Sequence, residues 1–316
     1  MSLRFEHYKK RVIKEGIKAR TMLPLDEQLE LAREAAAKLK IMLPKESRDF
    51  TYELIEVEGT LCIVMRNKKP MAAKMKKKLG DPGQRAILYV YGNGMLLPPA
   101  PEFVTCAENI GIATQRDVWF PYYPTCLEAS VVDAVEAIDA VYARMLESYD
   151  GCDIALYGVS SGAALCMSML AENTVKKDSL AIPGAFIGVS PLYGAYGKRE
   201  REAMEYLEPV DMLLSYEYVK ILPDILRNGR DDVPEHMING NGLDCTGFPE
   251  TRIYLGTYEL LSAKSDLYER QLKDAGVDFE INKAEGMPHC YCMDIKFPEA
   301  AEDYEEIIKV LNAPGL

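Results

Sequence analysis

A serine between two glycines, a histidine far downstream and a carboxylate placed between them are the residues of this chain whose types and spacing could do chemistry. Gly158-Val159-Ser160-Ser161-Gly162 is a G-x-S-x-G element, which sets a serine in a strained strand-to-helix bend with its hydroxyl clear of the backbone. Its setting fits, since residues 154–157 are apolar and strand-prone and the small residues after Ser161 suit a helix. Gly158 and Gly162 stand where so tight a bend leaves no space for side chains. A serine hydroxyl needs a base to take its proton, and histidine, with a pKa of about 6.5, suits that task at neutral pH. The chain has three histidines. His7 and His236 fall in helical segments away from the elbow, whereas His289 follows the loop 284–288, which can present it at a sheet edge. His289 is the candidate general base.

An imidazole in that role needs an acid to hold its tautomer and stabilise its charged form. In serine-elbow enzymes the chain order is serine, acid, histidine. Glu259, just after the strand-like run Thr251 to Gly256, is the first choice; Asp266 is the runner-up and Asp244 a third candidate. A carboxylate at Glu259 would also suit the first turn of the next helix. Acyl transfer further requires N–H donors for an oxyanion. The N–H of Ser161 and the loop Gly92-Asn93-Gly94 after Tyr91 are the candidates, the glycines letting the backbone approach a substrate.

Composition limits the alternatives. The chain has 316 residues, 48% hydrophobic and 27% charged, which is enough for a large core. Its net charge of −12 argues against nucleic acid and anionic membrane surfaces as partners. Met1 to Lys10 is charged and lacks an apolar core, so no secretory signal is expected there. No stretch approaches the roughly eighteen apolar residues of a membrane span. The eight cysteines are scattered, and with no export signal they are expected to be reduced thiols in the cytoplasm. Cys290 and Cys292 beside His289 lack a second ligand pair at zinc spacing, so no metal is expected.

The elements that would position these residues can be read in order. Asp26 to Ile41 is periodic as an amphipathic helix, with Asp26 as its N-cap and Pro44 as its stop, and residues 1–48 form an N-terminal helical arm. Phe50 to Val57 and Thr60 to Arg66 read as a hairpin about Glu58-Gly59. The basic run Lys74 to Lys78 reads as a solvated loop, and Asp81-Pro82-Gly83 as a turn. Ala86 to Tyr91 is apolar throughout, as in a strand covered on both faces. Strand and helix then alternate: a helix over 101–110, a strand over 112–120, a helix over 128–146, the elbow strand, a helix from Ser161, strands near 184–189, 252–255 and 278–282, and helices over 262–275 and 299–311. That succession predicts a mostly parallel sheet with helices on both faces. Residues 193–248 are Tyr-rich and helical by pattern, too long for an ordinary connection. With the arm they are expected to form a cap over the carboxyl ends of the strands, leaving 49–192 and 249–316 as the two parts of the core.

With these residues in place, the chain from about 85 to 311 resembles the hormone-sensitive-lipase-like branch of the α/β-hydrolases. Tyr91-Gly92-Asn93-Gly94 stands where that family carries a His-Gly-Gly-Gly oxyanion loop, and Asp117 to Pro124 with Leu127 to Ala134 matches its strand, Pro-rich turn and long helix. The elbow, Ser190-Pro191-Leu192, Gly256 to Leu261 and Gly286-Met287-Pro288-His289 also correspond. The resemblance implies an α/β-hydrolase fold with a helical cap, hydrolysis of carboxylic esters through an acyl-enzyme, and no cofactor; Met95-Leu96-Leu97 and the tyrosines of 193–248 would line part of the acyl pocket, which suggests a small or medium acyl group, acetyl among them. Ser160, Glu259 and His289 fall on the family's triad, and Gly92, Asn93 and Ser161 on its oxyanion donors. Three positions depart from the pattern: Tyr91 replaces histidine, Asn93 replaces the second glycine, and the acid is glutamate where many members have aspartate. Family members often pair through edge strands or helices, which leaves a homo-oligomer open. A ligand-binding homologue without turnover, and an amidase or peptidase using the same triad, are the rival readings.

Overall fold

The computed structural model describes residues 1–39, 41, 43–44, 47–68, 84–176, 179–293 and 297–313. The basic run 74–78 and the turn at 81–83 lie outside them. Among the described residues eight strands form one sheet: β1 (Phe50–Val57), β2 (Thr60–Asn67), β3 (Ala86–Val90), β4 (Asp117–Pro121), β5 (Ile154–Val159), β6 (Ala185–Val189), β7 (Glu250–Gly256) and β8 (Phe279–Ala284), in the order β1-β2-β4-β3-β5-β6-β7-β8. β1 and β2 pair as an antiparallel hairpin, and β2 runs antiparallel to β4. The remaining six strands are parallel. Every residue of β3, β4, β5 and β6 is buried, so these uniformly apolar runs need cover on both faces.

That cover comes from α4 (Pro101–Thr114) with α11 (Pro298–Leu311) on one face and α5 (Val131–Leu146) with α6 (Ser161–Val175) on the other. α10 (Ser265–Asp274) packs beside β8. The N-terminal arm holds α1 (Leu3–Glu15), α2 (Ile17–Thr21) and α3 (Leu25–Lys38); the insertion holds α7 (Gly197–Leu207), α8 (Tyr216–Arg227) and α9 (Glu235–Asn239), with no strand among its residues. The arm and the insertion are joined by Ser215, whose hydroxyl donates to the Thr21 carbonyl (2.6 Å) and whose N–H reaches the Thr21 hydroxyl (3.0 Å). The arm also returns to the core: the Ser2 hydroxyl bonds Glu299 on α11 at 2.9 Å, and the Tyr8 and Phe297 rings meet at 4.9 Å.

Several boundaries differ from those expected. α3 begins at Leu25 with Pro24, not Asp26, at its N-cap. Residues 112–114 continue α4, which ends at a left-handed Gln115 (φ 54°), so β4 starts only at Asp117. α5 starts at Val131 because Ser130 and Asp133 form a capping box there. The helix expected from 262 opens as a 3₁₀ turn, Leu260–Lys264, before α10 begins.

Candidate active site

Parallel strands put their carboxyl ends on one side, and the loops leaving β3, β5, β7 and β8 carry the four groups of interest. Ser160 follows β5 directly with φ 52° and ψ −120°, a strained backbone that costs about 1–3 kcal/mol. It persists because the surroundings hold it: its N–H donates to the Val189 carbonyl at 2.7 Å, and its carbonyl accepts from Ala163 and Leu192 at 3.0 and 3.1 Å. A Cβ on Gly158 would lie 2.5 Å from the Ala163 Cα, and one on Gly162 would overlap the Val90 carbonyl oxygen, so both positions admit glycine alone.

Three residues distant in sequence meet here. Ser160 Oγ lies 2.9 Å from His289 Nε2, and His289 Nδ1 lies 2.6 Å from Glu259 Oε2. The carboxylate fixes the tautomer: Nδ1–H donates to Glu259, leaving Nε2 to accept from the serine. Glu259 is fully buried, and its second oxygen accepts from the Gly256 N–H (2.8 Å) and the Ser190 hydroxyl (2.9 Å), which leaves Oε2 to the imidazole. Ser190 in turn accepts the Cys290 N–H at 3.0 Å, so one hydroxyl bridges the acid and the residue after the histidine. Burial opposes the imidazolium, but the Cys290 sulfur and the Glu259 carboxylate favour it and prevail, so His289 keeps its proton well above an ordinary histidine.

The other candidates lie elsewhere. Asp266 pairs with Arg199 at 3.0 Å on the surface, and Asp244 caps the Thr246 N–H in an exposed loop. His7 is exposed on α1, and His236 on α9 sits 3.0 Å from Glu172. Among the described residues no cluster of histidine, cysteine and carboxylate could hold a metal ion.

The loop after β3 passes over the nucleophile: a Cβ on Gly92 would be 2.8 Å from the Ser160 Cβ. Asn93 adopts φ 119°, a backbone that glycine accepts freely, and its side-chain amide donates to the Pro98 carbonyl at 2.6 Å. Tyr91 is buried, stacked on Tyr123 with centroids 4.4 Å apart, and its carbonyl accepts from the Tyr123 hydroxyl at 2.8 Å. From α8, the Tyr218 hydroxyl donates to the Gly94 carbonyl. Ser161 is fully buried at the start of α6. Sequence reasoning assigned no role to Ser190, Tyr123 or Asp211, and took Tyr218 only as one of the cap tyrosines of the acyl pocket; only Ser190, placed just after an apolar strand, carried a local signal. A separate cavity of about 570 Å³ lies between α1, α2 and the loop 209–212, with Tyr258 and Gly286 in its wall.

A family profile described as alpha/beta hydrolase fold matches residues 87–293. An esterase from the bacterial hormone-sensitive lipase (HSL) family superposes with a TM-score of 0.76 at 20% identity, covering 96% of this chain and 97% of that one. The esterase EstE5, soaked with p-nitrophenyl butyrate, gives 0.76 at 19% identity over 99% and 98% of the two chains. An esterase/lipase from an uncultured bacterium gives 0.75 at 19% identity over 98% and 97%. Likeness at this identity establishes the fold. No curated protein matches the chain.

Proposed function

The chain belongs to the α/β-hydrolase fold family, and on that premise we propose that it is a serine carboxylic ester hydrolase of the hormone-sensitive-lipase-like type, acting through an acyl-enzyme. Ser160 attacks the ester carbonyl while His289 Nε2 takes its proton; Glu259 stabilises the imidazolium; the N–H groups of Gly92, Asn93, Gly94 and Ser161 receive the oxyanion. His289 then protonates the leaving alcohol, and the same residues run a water molecule through the second half. The observation that carries this reading is the unbroken relay from Glu259 Oε2 to His289 at 2.6 Å and from His289 to Ser160 Oγ at 2.9 Å.

The substrate is a small or medium acyl ester, acetate or butyrate in class. Support comes from the buried side chains at the loop that passes over Ser160: Met95 and Leu96 follow Gly94 directly, and Tyr218 bonds the Gly94 carbonyl. The cap is formed by residues 1–48 and 193–248 over a core of 49–192 and 249–316, a division favoured by the Thr21–Ser215 bonds between arm and insertion. No helix of the described residues is long and apolar enough to cross a membrane. All eight cysteines are free thiols, which fits the reducing cytoplasm.

Ser160→Ala should lower hydrolysis of p-nitrophenyl acetate and butyrate by at least about a thousandfold. A fluorophosphonate should label the parent protein and not the variant. Parent-level hydrolysis by the variant would end the proposal, and a parent protein inert to both reagents would favour the ligand-binding reading.

A further inference from the structure

Asp211 is a carboxylate that the relay does not use and that is almost wholly buried, at 2% exposure, in the insertion between α7 and α8. Burying a carboxylate is costly unless hydrogen bonds hold it. Asp211 takes three, all from backbone N–H groups, and its two oxygens divide the work. Oδ1 accepts from Leu213 and Leu214 at 2.8 Å each, closing a local turn ahead of α8. Oδ2 leaves the insertion and accepts the N–H of Leu260 at 2.8 Å, a residue 49 positions further along the chain.

Leu260 immediately follows Glu259. Holding its N–H fixes the plane of the Glu259–Leu260 peptide, and with it the direction in which the Glu259 side chain leaves the backbone. Gly256 and Ser190 hold one carboxylate oxygen of Glu259 from the core side; Asp211 holds the peptide behind it from the insertion side. A turn alone needs only an acceptor of the Asn or Ser kind, so the local role of Oδ1 does not require a buried charge. Asp211 is also tied to the arm, since Lys18 on α2 donates its ammonium to the Asp211 carbonyl at 2.9 Å and pairs with Glu208 at 3.1 Å.

We propose that Asp211 is a positioning residue for the reaction, acting through Leu260 to set the angle at which Glu259 meets His289. The inference rests on the serine-hydrolase reading above. It makes the insertion part of the catalytic apparatus as well as a cover. The Asp211 charge and His289 also act on one another electrostatically, while the imidazole itself is set against Glu259, Cys290 and Ser160; Lys18, paired with Glu208, reaches only the Asp211 backbone carbonyl.

Asp211→Asn tests this selectively. The amide oxygen can still close the turn on Leu213 and Leu214, while the amide nitrogen meets the Leu260 N–H donor to donor and the link is lost. Against p-nitrophenyl butyrate, kcat should fall by about ten- to a hundredfold, as expected for a catalytic group displaced by a fraction of an ångström, with KM within about twofold. The acidic limb of kcat/KM should move to lower pH, because the imidazolium has lost a negative neighbour. Asp211→Ser, which keeps a turn acceptor but cannot reach Leu260, should show the same signature. Parent kcat and an unmoved limb in either folded variant, or a loss confined to the unfolding midpoint with parent activity per fluorophosphonate-titrated site, would overturn the proposal, as would failure of both variants to fold. Ser160→Ala in the same assay separates the two claims: hydrolysis that survives it removes the esterase reading, whereas Ser160-dependent hydrolysis indifferent to Asp211 removes this inference alone.

Discussion

Glu259 meets His289 with one carboxylate oxygen because Gly256 and Ser190 occupy the other, so the charge is aimed as well as present. Glu259→Gln keeps the shape and removes the charge, which should lower kcat by about a thousand- to ten-thousandfold, the scale of an uncharged partner in a serine triad. The pH profile gives a second readout with a fixed sign. His289 must be neutral to act as a base, and its pKa is raised, so activity should be lost as pH falls through a value above the ordinary histidine range. In Glu259→Gln the imidazolium loses its closest anion, and the acidic limb of kcat/KM should move to lower pH; a limb that stays in place would mean another group titrates there. The grouping of Ser160, His289 and Glu259 was legible in the sequence because each belongs to a short pattern: a G-x-S-x-G bend, one of three histidines, a carboxylate just past a strand. Asp211 and Tyr218 were not, because their partners, Leu260 and the Gly94 carbonyl, are distant in sequence and are backbone groups that leave no mark on residue type.

At the scale of elements, the parallel strands were legible from uninterrupted apolar runs, while boundaries were missed where a cap or a left-handed residue decides them, as at Ser130 and Gln115. The 3₁₀ turn under the acid is a further missed boundary, with neither a side-chain cap nor a left-handed residue at its ends. Lys264 ends it, has no exposed surface, and is held by Glu200 of α7 at 2.7 Å and by the Asn239 carbonyl at 2.8 Å. Burial pulls its pKa below the usual lysine value, and the Glu200 carboxylate opposes that. This ion pair therefore joins the insertion to the turn that carries the acid. Lys264→Met should cost about 3–5 kcal/mol of unfolding free energy in urea, since Glu200 is left without its buried partner. Adding Glu200→Leu should recover most of that loss, because replacing both members of a buried pair by apolar groups is often neutral. Equal stability of the single and double variants would show that the pair's charge is not what holds α7 down.

For the molecule as a whole, the candidate site and the groups that hold the sheet together occupy opposite ends of it. Ser160, Glu259, His289 and the 92–94 loop leave the carboxyl ends of their strands, while Arg116, just before β4, sits at the amino ends with no exposed surface. Its guanidinium donates to the carbonyls of Leu311 (2.9 Å), Ala86 (3.3 Å) and Asp153 (2.7 Å), so it gathers the end of α11, the start of β3 and the turn before β5. Burial pulls its pKa down, yet an arginine keeps its charge at neutral pH and needs those acceptors. Arg116→Met would fill much of the same volume and take the guanidinium donors away from the carbonyls of Leu311 and Asp153, with Ala86 still paired in the β3 ladder. Each orphaned group costs about 1–3 kcal/mol, offset in part by the desolvation of a charge no longer buried, so a net loss of about 2–4 kcal/mol is expected in urea unfolding. The relay sits at the far end of β5 and is bonded to other groups, so kcat per fluorophosphonate-titrated site should stay within about twofold of the parent. A large fall in kcat with unchanged stability would mean that the two ends of the sheet are coupled, and that the parallel strands transmit strain along their length instead of isolating the site from it.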